Sequence, residues 1–313
     1  LHCRDTLSLH DALPIYQPKA FRLSSSTTHP TVGYLALGPL TSLAHLHALS
    51  PSPAESLLHH FGPILVMGGA LDVPGNTSPV AEFNTFADPV AASTIFALGL
   101  HSLYLFPLDI TTPHTLPFDI YALLVDEHFV DTSAPSRAHM KTALVHFTSS
   151  FLERTREVVR RFGGVEMEMH DPLVVWAAIE WSRSGEKVVE EDQERKGEFA
   201  PRWSWERKEF EVETCVPFSI SFWRWSLTLP ERRIGKLTRG MLVVDRRRSA
   251  GVALQAQARS SNRAVAVEEQ LAGVAAEEVS AMRGTRVVVG TPGSKALREL
   301  LLGRIWGVHE TAL

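Results

Sequence analysis

Residues 63–70 read Pro-Ile-Leu-Val-Met-Gly-Gly-Ala. The apolar side chains after the proline form an uninterrupted run, which is typical of a strand buried on both faces of a parallel sheet. Gly68 and Gly69 end the run, and glycine lets the backbone turn sharply or come close to a ligand. We therefore predict a strand over residues 63–67 that opens into a functional loop at its carboxyl end.

Strand and helix patterns alternate on both sides of this run. A short apolar run at 32–37 ends at a Gly-Pro turn, and another spans 103–108. Helical patterns lie between the runs, over 41–49, 55–60 and 89–97, and the last begins with Asp88 as N-cap and Pro89 at the first helical position. The alternation predicts an α/β fold, a doubly wound, mostly parallel sheet flanked by helices.

The rest of the chain is less regular. We predict helices over 117–151 in two pieces split near 133–135, a helix that begins at 169–172, strands at 241–245 and 286–290, and a closing amphipathic helix over 297–306. Residues 186–198 are charged and lack periodicity, which indicates a surface loop. Residues 246–281 are rich in Ala, Arg and Glu and are interpreted as a partly disordered or helical insert.

The composition excludes several classes of protein. The 313 residues are 44% hydrophobic and 21% charged, with a formal net charge of −4, so nothing favours binding to nucleic acid or to a membrane surface. No apolar run reaches the roughly 18 residues that a spanning helix needs. The two cysteines, Cys3 and Cys215, exclude a disulfide framework and a cysteine-rich zinc site. We expect a cytoplasmic protein.

Polar side chains follow the predicted strands. Because ligands bind beyond the carboxyl ends of strands in such folds, these are the candidate functional residues: Asn76, Glu82, Asn84, Asp109 and Thr111. The first three place a carboxylate and two amides within nine residues, and such a set suits the hydroxyls of a sugar. The alternative is a polar loop with an Asx-turn and a helix cap.

A second candidate pair is His170 and Asp171, which precede Pro172. An aspartate at the start of a helix is most often an N-cap, and a proline after it fits that interpretation. A histidine in this position is most often polar surface. The functional interpretation is an imidazole and a carboxylate at a site.

The chain from about residue 32 onward resembles the inosine-uridine-preferring nucleoside hydrolases. Five motifs carry the resemblance in family order: residues 35–41, residues 66–70, Gly75-Asn76 with 82–84 and 88–89, residues 170–173, and residues 238–241 with 243–245. Such agreement in order is specific to the family.

The resemblance implies a calcium-dependent hydrolase that cleaves the N-glycosidic bond of a small-molecule ribonucleoside. In the family's pattern, Asp171 matches a calcium carboxylate and Leu37 a residue that lends the ion its backbone carbonyl. The residues that match the ribose site are Met67, Asn76, Glu82 and Asn84. His170 matches the residue that protonates the leaving base. Dimers or tetramers are usual in the family, so a homo-oligomer is expected.

These roles are chemically coherent. Ca²⁺ takes about six to eight oxygen ligands. Cleavage of a glycosidic bond passes through an oxocarbenium-like transition state, whose positive charge Glu82 would stabilise. An imidazole can donate a proton to the departing base near neutral pH.

The sequence departs from the family at its beginning. The family opens with an aspartate cluster, Asp-x-Asp-x-x-x-Asp-Asp, on its first strand, and nothing before residue 32 matches it. Residues 6–15 resemble a translated sequencing adapter, so we interpret 1–15 as extraneous and 16–313 as a single domain whose first strand is missing. We expect this chain to be inactive and the complete gene product to be active. A ribose- or nucleoside-binding protein without turnover is the alternative function.

The second departure is residues 215–232, which are rich in aromatic side chains and separate two motifs that the family places almost next to each other. The stretch could be a substrate lid or an exposed apolar surface. A retained short intron is the interpretation we favour.

Overall fold

The computed structural model describes residues 21–22, 32–50, 56–129, 136–184, 196–214, 237–244 and 284–310. The strands are β1 (Phe21–Arg22), β2 (Val32–Ala36), β3 (Ile64–Met67), β4 (Leu103–Phe106), β5 (Thr115–Pro117), β6 (Glu166–Glu168), β7 (Lys196–Ala200), β8 (Trp203–Lys208), β9 (Glu211–Val212), β10 (Leu242–Val243) and β11 (Thr285–Gly290). The α-helices are α1 (Thr41–Ala48), α2 (Phe83–Ala87), α3 (Pro89–Ala97), α4 (Leu108–Thr111), α5 (Phe118–Leu124), α6 (Ala143–Arg161), α7 (His170–Ser184) and α8 (Ser294–Leu301). Leu57–His60 and Ala138–Met140 are 3₁₀ turns, and Leu302–Trp306 continues α8 as a π-helical turn.

Seven strands form the central sheet in the order β1-β2-β3-β4-β11-β8-β7. Its middle is parallel, because β2, β3, β4 and β11 pair in the same direction. Antiparallel strands extend both edges: β1 beside β2, and β8 and β7 beyond β11. The predicted α/β fold with a mostly parallel central sheet is confirmed. Among the described residues, the only strand outside β2 is the two-residue β1, so no parallel first strand lies there.

Helices cover both faces of the sheet, as a doubly wound fold requires. Side chains alternate along a strand, so β3 contributes Leu65 and Met67 to one core and Ile64 and Val66 to the other. The first core includes α7, and the second includes α3. All four β3 residues are buried, which confirms the interpretation of their apolar run.

The local signals for helices are also borne out. Asp88 caps α3, since its Oδ1 accepts a hydrogen bond of 3.0 Å from the Ala91 N–H, and Pro89 is the first helical residue. Helix α7 begins at His170, so Asp171 lies within its first turn rather than before it. Within the described ranges every helix is too short or too polar to cross a lipid bilayer.

Several boundaries differ from the prediction. The segment at 55–60 is a 3₁₀ turn, and the second piece of the 117–151 helix continues to Arg161 as α6. The loop predicted over 186–198 is wrong at 196–198, which belong to β7. A charged edge strand is stable there because its outward side chains reach solvent and Lys196 pairs with Glu206 at 2.8 Å.

The strand predicted at 241–245 is observed only as β10, and it pairs with β9 in a separate ribbon rather than in the central sheet. A second ribbon joins β5 to β6. The interpretations given above for residues 1–15, 215–232 and 246–281 concern segments outside the described residues.

Candidate functional site

The candidate residues gather where the parallel strands end. Met67 is the last residue of β3, Leu37 follows β2, and α4 begins two residues after β4. Helix α7, which starts with His170, packs against β2, β3 and α4. These candidate residues therefore lie at the carboxyl edge of the sheet, where the site is predicted.

Glu82 is the centre of the loop that follows β3. Its side chain is 2% exposed, and Oε2 accepts hydrogen bonds from the backbone N–H groups of Asn84 at 2.9 Å, Thr85 at 3.2 Å and Gly69 at 2.9 Å. The first two bonds cap α2 and the third fixes the glycine loop. Glu82 is thus held rigidly between the two elements that carry the other candidates.

Burial raises the pKa of Glu82 above its ordinary value, although the three backbone donors oppose that shift. The negative charge of Asp171 raises the pKa of Glu82 further. The two carboxylates come from distant parts of the chain, and the packing of α7 against β3 brings their elements to the same region of the fold.

Gly69 is required by both the backbone and the packing. Its φ of +78° favours glycine, and a Cβ atom at this position would lie 2.4 Å from Cδ1 of Leu242. Gly69 also accepts a 2.8 Å hydrogen bond from the Leu108 N–H, which ties the loop to the end of β4.

Asn84 and Met67 form one unit. The Asn84 side-chain nitrogen donates to the Met67 carbonyl at 3.0 Å and lies 3.5 Å from the Met67 sulfur. Both residues are buried, and this contact brings together two of the residues that the resemblance assigns to the ribose site. Because the nitrogen donates to both Met67 atoms, the oxygen of the Asn84 amide is the group that a ligand could use.

Asn76 is exposed on the same loop. Its Oδ1 accepts hydrogen bonds from the Phe83 N–H at 3.0 Å and from the Thr77 hydroxyl at 3.2 Å. Asn76 therefore ties the loop to the start of α2. These are the hydrogen bonds of the alternative interpretation, a polar loop with a helix cap.

Asp109 has a structural role. Its carboxylate accepts backbone hydrogen bonds from Leu71 at 2.9 Å and from Asp72 at 2.7 Å, and so it holds the loop after β3 against α4. It is a candidate from the sequence that the structure assigns to loop anchoring.

His170 is held on both ring nitrogens. Nδ1 lies 2.8 Å from the Thr111 hydroxyl, and Nε2 lies 2.8 Å from Oε2 of Glu168. Thr111 is fully buried and was already among the candidates. Glu168, the last residue of β6, was not among the candidates. The sequence signal that could have found it is a carboxylate two residues before the histidine.

Asp171 contacts solvent, yet the surrounding chain removes enough water from its carboxylate to raise its pKa, and the neighbouring His170 opposes that rise. It is the candidate metal carboxylate. Leu37, the candidate carbonyl ligand, lies at the end of β2, where α7 packs on that strand.

These two groups do not complete a calcium site. Within the described part of the chain, no cluster of three or more His, Cys, Asp or Glu side chains is placed to hold a metal ion. Ca²⁺ takes about six to eight oxygens, so one carboxylate and one carbonyl are too few for tight binding.

Comparison with known proteins places the site in context. The sequence profile described as "Inosine-uridine preferring nucleoside hydrolase" matches residues 9–275. A protein described as "Probable uridine nucleosidase 2" of Arabidopsis thaliana is 43% identical over 65 residues, which are 21% of this chain and 19% of that protein. The "Non-specific ribonucleoside hydrolase RihC" of Escherichia fergusonii is 33% identical over 117 residues, 37% of this chain and 36% of its own length.

Among solved structures, a "Plant nucleoside hydrolase - PpNRh1 enzyme" superposes with a TM-score of 0.48 and 18% identity, covering 88% of this chain and 61% of that chain.

An uncharacterized protein of Schizosaccharomyces pombe is 30% identical over 165 residues, 50% of this chain. The match covers 46% of that relative, so the chain spans less than half the length of the curated relatives it matches.

Proposed function

Because the chain belongs to the inosine-uridine preferring nucleoside hydrolase family, we propose that the complete protein hydrolyses the N-glycosidic bond of a ribonucleoside to ribose and a free base. The observation that supports the proposal most is that α7, which starts with His170 and Asp171, packs against β3, whose end leads into the loop that Glu82 holds in place. Relatives described as a uridine nucleosidase and a ribonucleoside hydrolase support the class of reaction.

The loop after β3 is proposed to bind the ribose. The loop offers amide and carboxylate groups to sugar hydroxyls from Asn76, Glu82 and Asn84. The Met67 carbonyl accepts a hydrogen bond from Asn84. A carboxylate in a buried, rigid position stabilises positive charge strongly, because it need not reorganise as the charge develops. Glu82 would therefore favour the oxocarbenium-like transition state over the bound substrate.

His170 is proposed to protonate the departing base. A neutral imidazole presents one N–H, and near neutral pH it can gain and release a proton readily. Thr111 and Glu168 fix the plane of its ring, and Nε2 must exchange Glu168 for the base to deliver a proton.

Calcium is the cofactor that the family resemblance implies, and we propose Asp171 and the Leu37 carbonyl as the ligands this chain offers. The described residues alone do not form a complete site. Further carboxylates would be needed for tight binding.

A second function is a ribose- or nucleoside-binding protein that does not turn its ligand over. The observation that favours it is the lack, among the described residues, of a carboxylate cluster that could activate water. A homo-oligomeric state, a cytoplasmic location, and the lack of nucleic-acid and membrane partners remain proposals.

Release of free base from purine and pyrimidine ribonucleosides, followed by chromatography, tests both functions. Hydrolysis by the complete protein that is lost in Glu82→Gln, while Glu157→Gln retains it, would support the enzyme. Glu157 is a suitable control because it is a glutamate on α6 paired with Arg154 and Arg161. Saturable nucleoside binding without release of base would support the binding protein instead.

A further inference from the structure

One short segment, residues 237–242, contacts the proposed ribose loop and α2 at three points. We call it the clamp segment. The Leu237 carbonyl accepts a 2.9 Å hydrogen bond from the Ser78 hydroxyl, beside Asn76. Arg239 binds the end of α2, which carries Asn84, and Leu242 packs on Gly69. These contacts link residues that are about half the chain apart in sequence.

Arg239 caps α2 from its carboxyl end. Its Nε donates to the Phe86 carbonyl at 2.8 Å and its Nη2 to the Ala87 carbonyl at 3.1 Å. The last carbonyls of a helix have no partners within the helix, and a cation there is favoured by the helix dipole. The guanidinium also lies over the Phe86 ring, 5.6 Å from its centroid. A five-residue helix has few hydrogen bonds of its own, so these external contacts decide whether it is ordered.

Gly240 brings the clamp segment against the backbone of α2. Its φ is +74°, and a Cβ atom there would lie 2.5 Å from the Phe86 Cα. Only glycine permits this approach. The Gly240 N–H in turn donates to the Glu213 carbonyl at 2.7 Å, which anchors the segment on the β9–β10 ribbon.

Leu242 packs against Gly69, which donates a hydrogen bond to Glu82. It is buried and fills the space that a side chain at position 69 would need. Gly69 donates one of the three hydrogen bonds to Glu82, and Asn84 and Thr85 of α2 donate the other two. The clamp segment therefore holds both sources of those bonds from outside the loop.

We propose that Arg239 is a positioning residue for the ribose site, which it orders by fixing α2 and thereby Glu82 and Asn84. The inference rests on the proposed function for its consequence in catalysis. The ordering of the loop is independent of the proposed function and can be measured on the chain itself.

The first experiment measures amide hydrogen exchange in the 313-residue chain. Arg239→Met should speed exchange in the peptides that cover Gly69 and residues 83–87 by about tenfold or more, because it removes two hydrogen bonds from a charged donor. Arg239→Lys, which keeps the charge but cannot bridge two carbonyls, should speed it less and serves if the methionine variant fails to fold.

Arg286→Met is the matched control. Arg286 also donates to a backbone carbonyl, that of His101, and its guanidinium lies over aromatic rings. Its acceptor precedes β4, at the end of that strand away from the site. The variant should leave exchange at Gly69 and 83–87 unchanged. Unchanged exchange in Arg239→Met and Arg239→Lys, or an equal rise in Arg286→Met, would overturn the inference.

The second experiment uses the complete protein with a ribonucleoside substrate. Arg239→Met should raise KM by about tenfold, since the ribose ligands are no longer held in place. A purely structural defect would lower the active fraction, and so the apparent kcat, without changing KM; that result would overturn the inference. If the unsubstituted protein cleaves no nucleoside, the proposed function fails, while the exchange measurement still decides the role of Arg239 in ordering the loop.

Discussion

The Nδ1 atom of His170 lies 2.8 Å from the hydroxyl of Thr111, a contact that joins α7 to α4 across 59 residues of sequence. Nε2 lies 2.8 Å from a carboxylate oxygen of Glu168, which can only accept a hydrogen bond when ionised. In the neutral ring, Nε2 therefore carries the hydrogen and the Thr111 hydroxyl donates to Nδ1. The tautomer of His170 is thus set by two neighbours.

The proposed acid role of His170 predicts a leaving-group dependence for His170→Ala in the complete protein. Turnover of ribonucleosides should fall by about 10²–10⁴-fold, the usual cost of losing one acid catalyst. An aryl riboside whose phenolate departs without protonation should be cleaved almost as fast as before. Steady-state assays on both substrates provide the test, and an equal loss on both would contradict the acid role.

The raised pKa of Glu82 predicts how stability changes with pH. Burial, the largest cause of the shift, makes the folded protein bind this proton more tightly than the unfolded chain. The free energy of unfolding should therefore fall as the pH rises from the ordinary glutamate pKa through the raised one. In Glu82→Gln that component is absent, so the fall should be shallower in urea denaturation measured across this range.

Glu157→Gln is the control for this measurement. The Arg154 guanidinium lowers the pKa of Glu157, so its linkage to stability lies below the ordinary glutamate value. The variant should keep the slope of the unsubstituted protein at higher pH. Identical slopes for all three proteins would refute the assignment to Glu82.

A buried ion pair predicts a large effect far from the site. Lys141 Nζ lies 2.6 Å from Oδ2 of Asp126, and the two side chains are 4% and 2% exposed. Lys141→Met leaves a buried carboxylate without its partner and should destabilise the fold by about 3–5 kcal/mol. The double variant Asp126→Asn/Lys141→Met should recover part of this loss. Lys196→Met, which breaks the pair with Glu206 at a lysine that is 75% exposed, should cost at most about 1 kcal/mol.

The same pair predicts acid sensitivity. Burial raises the pKa of Asp126, but the hydrogen bonds from Lys141 and Ser149 and the charge of Lys141 outweigh it, so the pKa is lowered. The stabilisation is present above the ordinary aspartate pKa and is lost as the pH falls through the lowered one. Denaturation curves of the unsubstituted chain and of the double variant should therefore converge at acid pH; a constant difference would contradict this.

The incomplete calcium ligand set predicts that the 313-residue chain gains no thermal stability from calcium plus ribose. A ligand stabilises a fold only when its concentration is high relative to its dissociation constant, and one carboxylate gives weak binding. Differential scanning fluorimetry with and without both additives is the measurement, with magnesium as a control for ionic strength. A calcium-dependent rise in Tm that Asp171→Ala abolishes would show that further ligands exist in the chain.

The parallel centre of the fold could be predicted because its signals are local. Three apolar runs ending in glycine, proline or polar residues became β2, β3 and β4, and Asp88-Pro89 began α3. The antiparallel edge was missed. Trp203 and Trp205 alternate with more exposed residues, a period-2 signal for β8, but the charges before them dominated the interpretation of 186–198.

The site was predictable to the same extent. The resemblance assigned Glu82, Asn84 and Met67 to one site, and in the structure Asn84 is hydrogen-bonded to both of the others. Glu168 had a local signal, since it lies two residues before His170, but Arg239 could not be predicted because it contacts a segment far away in sequence. Nothing in the residues around Arg239 indicates that Phe86, 153 positions earlier, is its acceptor.

That separation has a consequence for the order in which the protein is made. Helix α2 leaves the ribosome long before Arg239, and at about 5–20 residues per second the 153 intervening positions take about 8–30 s to synthesise. During that interval the nascent chain carries Glu82 and Asn84 on a short helix without its carboxyl-end cap. The sugar-binding loop would therefore mature late in translation, and a chain that ends before Arg239 would lack the two hydrogen bonds that cap α2.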